Sequence, residues 1–246
     1  MIALFTDFGW SGPYVGQMHA VLARAAPAAP VIDIMHDAPR FDAVAAGHVL
    51  AALVPFMPAG TIWVAVIDPG VGTARRPLVL EADGQWLVGP DNGLFETVAA
   101  RARASRRWHI TRAPATPAAT FHGRDLFAPV AAELALGGGV PGDELDQQTD
   151  ATGACDRAAV IYIDGFGNAM TGLRGTGINP GASLGVAGRV IPGGRTFADA
   201  APGDPLWFVD SLGLVEIAVN QGSAAAALDL AIGSPVHWEA HDAGDG

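Results

Sequence analysis

TIWVAVIDPGVGTARRP, residues 61–77, is an apolar run that breaks into a carboxylate, a glycine-rich turn and two arginines. Residues 62–67 are all apolar, the composition of a strand covered on both faces, and Asp68-Pro69-Gly70 ends it at once. Asp68 is therefore expected at the C-terminal end of a strand. In an open α/β sheet that edge is where ligands bind, because helices cover the faces and the loops leave a crevice there. Gly70 and Gly72 let the backbone pass close to another group, and Arg75 and Arg76 return positive charge toward Asp68. The plainer alternative is a strand-end aspartate that only shapes its turn, with both arginines on a solvated surface.

Upstream, residues 2–5 read as a short apolar strand, and Thr6-Asp7-Phe8-Gly9 ends it in the same acidic manner. Residues 14–25 carry Val15, Met18, Val21 and Leu22 at helical spacing. Residues 31–35 are the next strand, and Asp42 caps a helix to about residue 54, where Pro55 and Pro58 stop it. Alternation of strand and helix up to residue 67 implies a largely parallel sheet with helices on its faces.

Downstream, residues 78–81 and 86–88 flank Asp83-Gly84, the signal of a hairpin. Its second arm enters Gly89-Pro90-Asp91-Asn92-Gly93, residues that tolerate positive φ. A helix over about 94–103, a strand at 108–111 and a loop marked by Pro114 and Pro117 lead to Thr120-Phe121-His122-Gly123-Arg124-Asp125, before a helix over 126–136. Three glycines at 137–139, Pro141-Gly142 and a polar run at 146–149 are the clearest change in composition. They divide an N-terminal α/β domain, 1–140, from a C-terminal domain, 156–246, with 141–155 as linker. Short strands at 159–163, 183–190, 205–209 and 214–219 make the second domain a small β-barrel or sandwich.

Half of the 246 residues (50%) are hydrophobic and 16% are charged, which excludes a disordered or coiled-coil chain. A net charge of -11 gives no attraction to nucleic acid or to an anionic membrane, so neither is an expected partner. Residues 43–57 form an apolar window, but His48 and Pro55 interrupt it short of a membrane span. The single cysteine, Cys155, excludes an internal disulfide and a thiolate cluster. Met1 runs into IALFTDFG with no basic or apolar leader, so the cytoplasm is the expected compartment.

Walker A, GxGxxG, HExxH and GxSxG motifs do not occur at workable places. The unusual polar residues gather instead in loops: TDFG at 6–9, DPGVGTARR at 68–76, PDNGL at 90–94, FHGRDLFAP at 121–129, DGFGN at 164–168 and VEIAVNQGSA at 215–224. Taken singly, each has a bland reading: a turn for Asp7, a satisfied loop histidine for His122, a surface charge for Arg75, a turn pair for Asp164 and Asn168. His19, His36, His48 and His109 read as structural. No His and carboxylate spacing suggests a metal.

Taken in order along nearly the whole chain, these loops resemble the S-adenosyl-L-methionine (SAM) hydrolases that form adenosine, the SAM hydroxide adenosyltransferases, relatives of fluorinase and chlorinase. The resemblance implies hydrolysis of SAM to adenosine and L-methionine by attack of water or hydroxide at the ribose C5′, without metal or other cofactor. It implies a catalytic set of Asp68, Arg75 and His122. It also implies Asp7 at the ribose hydroxyls, Phe41 and Met170 lining the nucleoside, Gly123 in the substrate site, Asp164 toward the methionine part and Asn168 toward adenosine. The backbone of Val219, Asn220 and Gln221 would lie near the adenine. An N-terminal α/β domain, a C-terminal β-barrel and a homotrimer with sites between subunits complete what is implied.

The chemistry agrees with these residue types. A sulfonium is already an excellent leaving group, so the site has mainly to hold a water in line with sulfur and carbon. Arg75 would favour the hydroxide-like form, His122 would accept or pass on a proton, and Asp68 would orient the pair. Two positions depart from the family pattern. Gly12 stands where an aspartate commonly precedes Pro-Tyr, which concerns the anchoring of the methionine ammonium, and Asp164 is available to compensate. Gly172 stands where an asparagine usually follows the threonine. The competing readings are a halogenase of the same fold, a non-catalytic nucleoside-binding protein and a trimer without ligand. Asp68 speaks against the first, because an anion beside a carboxylate is disfavoured by roughly 1 kcal/mol at 4 Å even in bulk water.

Overall fold

The apolar run that opens the site is buried along its whole length because it becomes an interior strand with a neighbour on each edge. The computed structural model describes residues 1–112, 117–146, 155–179 and 181–239. The chain forms two units, Met1–Cys155 and Asp156–Gly246.

In the first unit the elements are β1 (Ile2–Thr6), α1 (Tyr14–Ala25), β2 (Val31–Met35), α2 (Ala43–Leu53), β3 (Ile62–Val66), β4 (Pro77–Ala82), β5 (Gln85–Pro90), α3 (Glu96–Arg101), β6 (Ser105–Ile110), α4 (Ala128–Ala135) and β7 (Gly142–Leu145). The seven-stranded sheet has the order β2-β1-β3-β5-β4-β6-β7. β2, β1, β3 and β5 run parallel, β4 runs against them, β6 returns to their direction and β7 opposes it. The sheet is thus mostly parallel, with an antiparallel flank. Alternation along β1 and β3 sends Ile2, Leu4, Ile62, Val64 and Val66 into one core, where Met18 and Leu22 of α1 and Val130 and Ala131 of α4 cover them. Ala3, Phe5, Trp63 and Ala65 point the other way and are as fully buried.

Asp42 caps α2 as its position suggests, its Oδ1 accepting from Ala45 N at 2.8 Å. Asp83 and Gly84, at φ 48° and 81°, make the two-residue hairpin loop between β4 and β5. That hairpin places β5 between β3 and β4, so residues 67–76 must arch across the end of β5 to connect their strands. The chain enters α4 through one π-helical turn, Gly123–Phe127, in which Ala128 N–H reaches back to Gly123 O.

Some expectations change. The helix expected over 94–103 is the shorter α3. Residues 142–145, expected inside a linker, form β7, because their backbone covers the open edge of β6. The rest of that linker falls largely on residues 147–154, outside the described residues.

The second unit holds β8 (Arg157–Ile163), β9 (Ala169–Arg174), β10 (Leu184–Val186), β11 (Arg189–Ile191), β12 (Pro205–Val209), β13 (Leu214–Val219), the short α5 (Ala224–Ala227) and β14 (Val236–Trp238). Its strands make a four-stranded antiparallel sheet, β12-β13-β9-β8, and a three-stranded one, β11-β10-β14. Single bridges, Ala159 to Pro235 and Gly193 to Trp207, touch the two edges of the larger sheet. Val160, Leu184, Trp207, Ile217 and Val236 share one core. Residues 183–190, expected as one strand, contain the β10–β11 turn at Ala187 and Gly188, with φ 51° and 71°. β9 and β14 carry no strand signal in the sequence: the first holds Gly172 and no clean alternation, and the second has three residues.

Candidate active site

β1 and β3 are parallel neighbours, with Thr6 in register with Val66, so Asp7 and Asp68 leave the sheet at the same edge. A cleft of ≈ 110 Å³ opens there, lined by Asp7, Phe41, Asp68, Phe121, His122 and Gly123 among others. Two loops distant in sequence meet at its wall.

Arg75 joins them. Its Nε donates to Asp68 Oδ1 at 3.0 Å and its Nη2 to Asp68 Oδ2 at 2.5 Å, a bidentate pair in which both side chains are more than nine-tenths buried. Nη2 also donates to His122 Nδ1 at 3.2 Å, Nη1 donates to Arg76 O at 2.8 Å, and the guanidinium carbon stands 5.5 Å from the centre of the Phe127 ring. Since a guanidinium has no acceptor, His122 must accept at Nδ1 and, when neutral, carry its proton on Nε2. Burial and then the Arg75 charge hold the imidazole below its ordinary value of 6.5, against the opposing pull of Asp68 and Asp125.

Asp7 is held differently. Burial raises its carboxyl above the ordinary range, opposed by the Phe41 N–H and the Arg40 charge. Phe41 N donates to Asp7 Oδ2 at 3.4 Å. Phe41 is 77% exposed and sits at φ 60°, an unusual conformation for a bulky side chain, and it borders the cleft. Behind this loop, buried His36 donates from Nε2 to Asp33 at 2.9 Å and accepts at Nδ1 from the Thr6 hydroxyl at 2.8 Å, which fixes the residue before Asp7.

The other residues of the two loops support their shape. Gly72 has φ 78°, and a Cβ there would come within 2.6 Å of Ala119 O, so only glycine lets the arch lie against the segment leading to His122. Asp125 accepts from Ala118 N at 3.0 Å and pairs with Arg124, which reaches Gln17 at 2.7 Å and lies over Phe121. These contacts explain the arginine and the aspartate of FHGRD without giving them chemistry.

The remaining candidates lie in the second unit. Asn168, Val219 and Gln221 border a cleft with Gly222 and two phenylalanines, Phe166 and Phe197, which are 82% and 42% exposed. Gln221, like Phe41, has a left-handed backbone, at φ 57°. Asp164 shapes the loop beneath: its Oδ1 accepts from Phe166 N at 2.9 Å and Asn168 N at 2.8 Å, and its Oδ2 from Asn168 Nδ2 at 3.0 Å. Asn220 is tied to Ala200 O at 2.7 Å, and Met170 is buried in β9 between Tyr162 and Glu216. Neither borders this cleft. Sequence reasoning missed Phe197, whose loop carries no motif, and passed over Phe166 although it stands inside DGFGN.

Among the described residues there is no group of three or more His, Cys, Asp or Glu that could hold a metal ion, and no helix long and apolar enough to cross a membrane. Two domain families match the chain: the SAM hydroxide adenosyltransferase N-terminal domain at residues 2–143 and the corresponding C-terminal domain at 158–237. An (R)-S-adenosyl-L-methionine hydrolase of Thermus thermophilus is 41% identical over 96% of this chain and 98% of its own. A fluorinase of an Actinoplanes species is 26% identical over 96% of each. The crystal structure of an uncharacterised conserved protein from Thermotoga maritima superposes with a TM-score of 0.86 at 31% identity, covering 97% of this chain and 99% of that one.

Proposed function

The chain belongs to the SAM hydroxide adenosyltransferase family, and on that footing we propose that it hydrolyses S-adenosyl-L-methionine to adenosine and L-methionine. The observation that carries this reading is the bonded set Asp68–Arg75–His122, in which Asp68 and His122 line the cleft that Asp7 also borders and Arg75 bonds to both. Water attacks the ribose C5′ from the side opposite the sulfur, the carbon–sulfur bond breaks with its electron pair going to sulfur, and one water proton is lost. Asp68 keeps lone pairs beyond those given to Arg75 and is the acceptor for that proton. With Nδ1 taken by Arg75, His122 keeps Nε2–H to hold the water oxygen as a donor, a role supported by that bond and different from the proton acceptor expected from the sequence. Because the leaving thioether is neutral, the step asks for alignment and for no Lewis acid or redox group, and we assign no cofactor.

Asp7 is placed at the ribose hydroxyls, with Phe41 and Gly123 beside the nucleoside. The cleft of ≈ 110 Å³ in the first unit is smaller than the roughly 300–1,000 Å³ that encloses a whole ligand, which supports a site completed by other residues. We assign that part to Asn168, Val219 and Gln221 of a neighbouring subunit in a homotrimer, with Asp164, Met170 and Asn220 supporting them from outside the cleft and Phe166 and Phe197 offering ring faces to the adenine. The C-terminal unit is taken to be a barrel, a reading supported by the two bridges at the edges of its larger sheet. We place the enzyme in the cytoplasm, in keeping with its single cysteine.

Incubation of purified protein with SAM, followed by chromatography, should yield adenosine and methionine in equal amounts. In ¹⁸O-labelled water the label should enter the adenosine 5′-hydroxyl. No adenosine above a boiled control would overturn the reading, and unlabelled adenosine would overturn direct attack at C5′.

A further inference from the structure

The loop at residues 90–93 has no part in the chemistry above, yet its position is dictated by the sheet. Residues 67–76 arch over the end of β5, and Pro90 is the last residue of β5, so residues 91–93 emerge beneath that arch. They bond to both of its feet. Asn92 Nδ2 donates to Ile67 O at 2.8 Å, immediately before Asp68, while its Oδ1 receives Leu94 N at 3.4 Å and so fixes which way the amide faces. Asp91 N donates to Arg76 O at 2.9 Å, and Asp91 Oδ2 pairs with Arg76 at 3.2 Å. Arg76 O is the same carbonyl that Arg75 Nη1 uses.

We propose that Asn92 is a positioning residue for the hydrolysis, holding the two feet of the arch, together with the Asp91 backbone, at the separation that lets Arg75 grip Asp68 and reach His122 at once. The inference rests on the proposed activity of this site. The Arg76–Asp91 ion pair contributes little of this, because the arginine is 56% exposed and surface pairs are screened. The two neutral bonds to main-chain carbonyls are the operative ones, and of these the Asn92 amide is open to substitution. Asn92 does not border the cleft, so it acts on the geometry of the pair and not on the nucleoside.

The test compares Asn92→Ala with the parent in SAM turnover, adenosine affinity by calorimetry, and a double-mutant cycle with Arg75→Ala. A shift of an ångström in a positioned group costs on the order of 10²-fold, so kcat should fall roughly 10- to 100-fold while adenosine affinity stays within about twofold. If Asn92 works through Arg75, the double variant should be no slower than Arg75→Ala alone. Parental kcat in Asn92→Ala, or losses that multiply, would overturn the proposal. Should Asn92→Ala fail to fold, Asn92→Asp keeps the shape and loses the donor, and parental kcat there would overturn it equally. NMR titration of His122 needs no turnover: loosening Arg75 should move the His122 midpoint upward, and coincident curves would count against the proposal. An inactive parent would instead sink the assigned reaction.

Discussion

Hydrogen bonds join Asp68, Arg75 and His122 into one unit, and the proposed reaction expects their substitution to show it. Asp68→Asn, Arg75→Ala and His122→Ala are each expected to lower kcat on the order of 10²-fold with little change in adenosine affinity. Asp7→Ala should do the reverse and weaken adenosine binding, which calorimetry would register. The pH profile follows from the tautomer. Protonating His122 would turn Nδ1 into a donor facing a donor, so activity should be lost as pH falls through its lowered pKa. The acid limb of kcat is therefore expected below 6.5. Each of these residues stands out in the sequence as a polar group at the end of an apolar run or in a glycine-rich loop, but only the order of the loops along the chain, matched to the family, singles them out together. The sequence does not disclose which ring nitrogen carries the proton, since that depends on a bond between residues 47 positions apart.

The arch and the strands of the second unit are the elements on which stability predictions turn. Gly72→Ala places a side chain at φ 78° against Ala119 O. The left-handed backbone alone costs about 1–2 kcal/mol. Melting should occur roughly 2–8 °C lower, with kcat reduced as well, because Ala119 leads to His122. In β13, burial and then Asp210 and Asp164 push Glu216 up to about 7 from 4.5. The folded chain keeps that proton where the unfolded chain releases it, so the associated stability is present below 4.5 and lost as pH rises through about 7. Thermal melts of Glu216→Gln should therefore exceed the parent near about pH 8 and match it at about pH 4. Elements with clean periodicity, α1 and β3 among them, are legible from the sequence at close to their true limits. β7, β9 and β14 are not, because each is set by the partner it pairs with and not by its own pattern.

For the whole molecule, the central expectation is that a site needs both units from different chains. Asp68→Asn and Asp164→Ala chains, dissociated and reassembled together, should regain activity in sites that take their first unit from the second variant and their second unit from the first. Mixed trimers as inactive as either parent would show that each chain builds its own site. The path of residues 67–76 over β5 also sets an order of events in time. The β4–β5 hairpin is local and can close early, but the arch has no seat until β5 has inserted beside β3. During refolding, indole fluorescence from Trp63 and Trp86, on those two strands, should reach its native value before the first molecule of SAM is turned over. A chain halted at that stage would be a finished sheet that does no work.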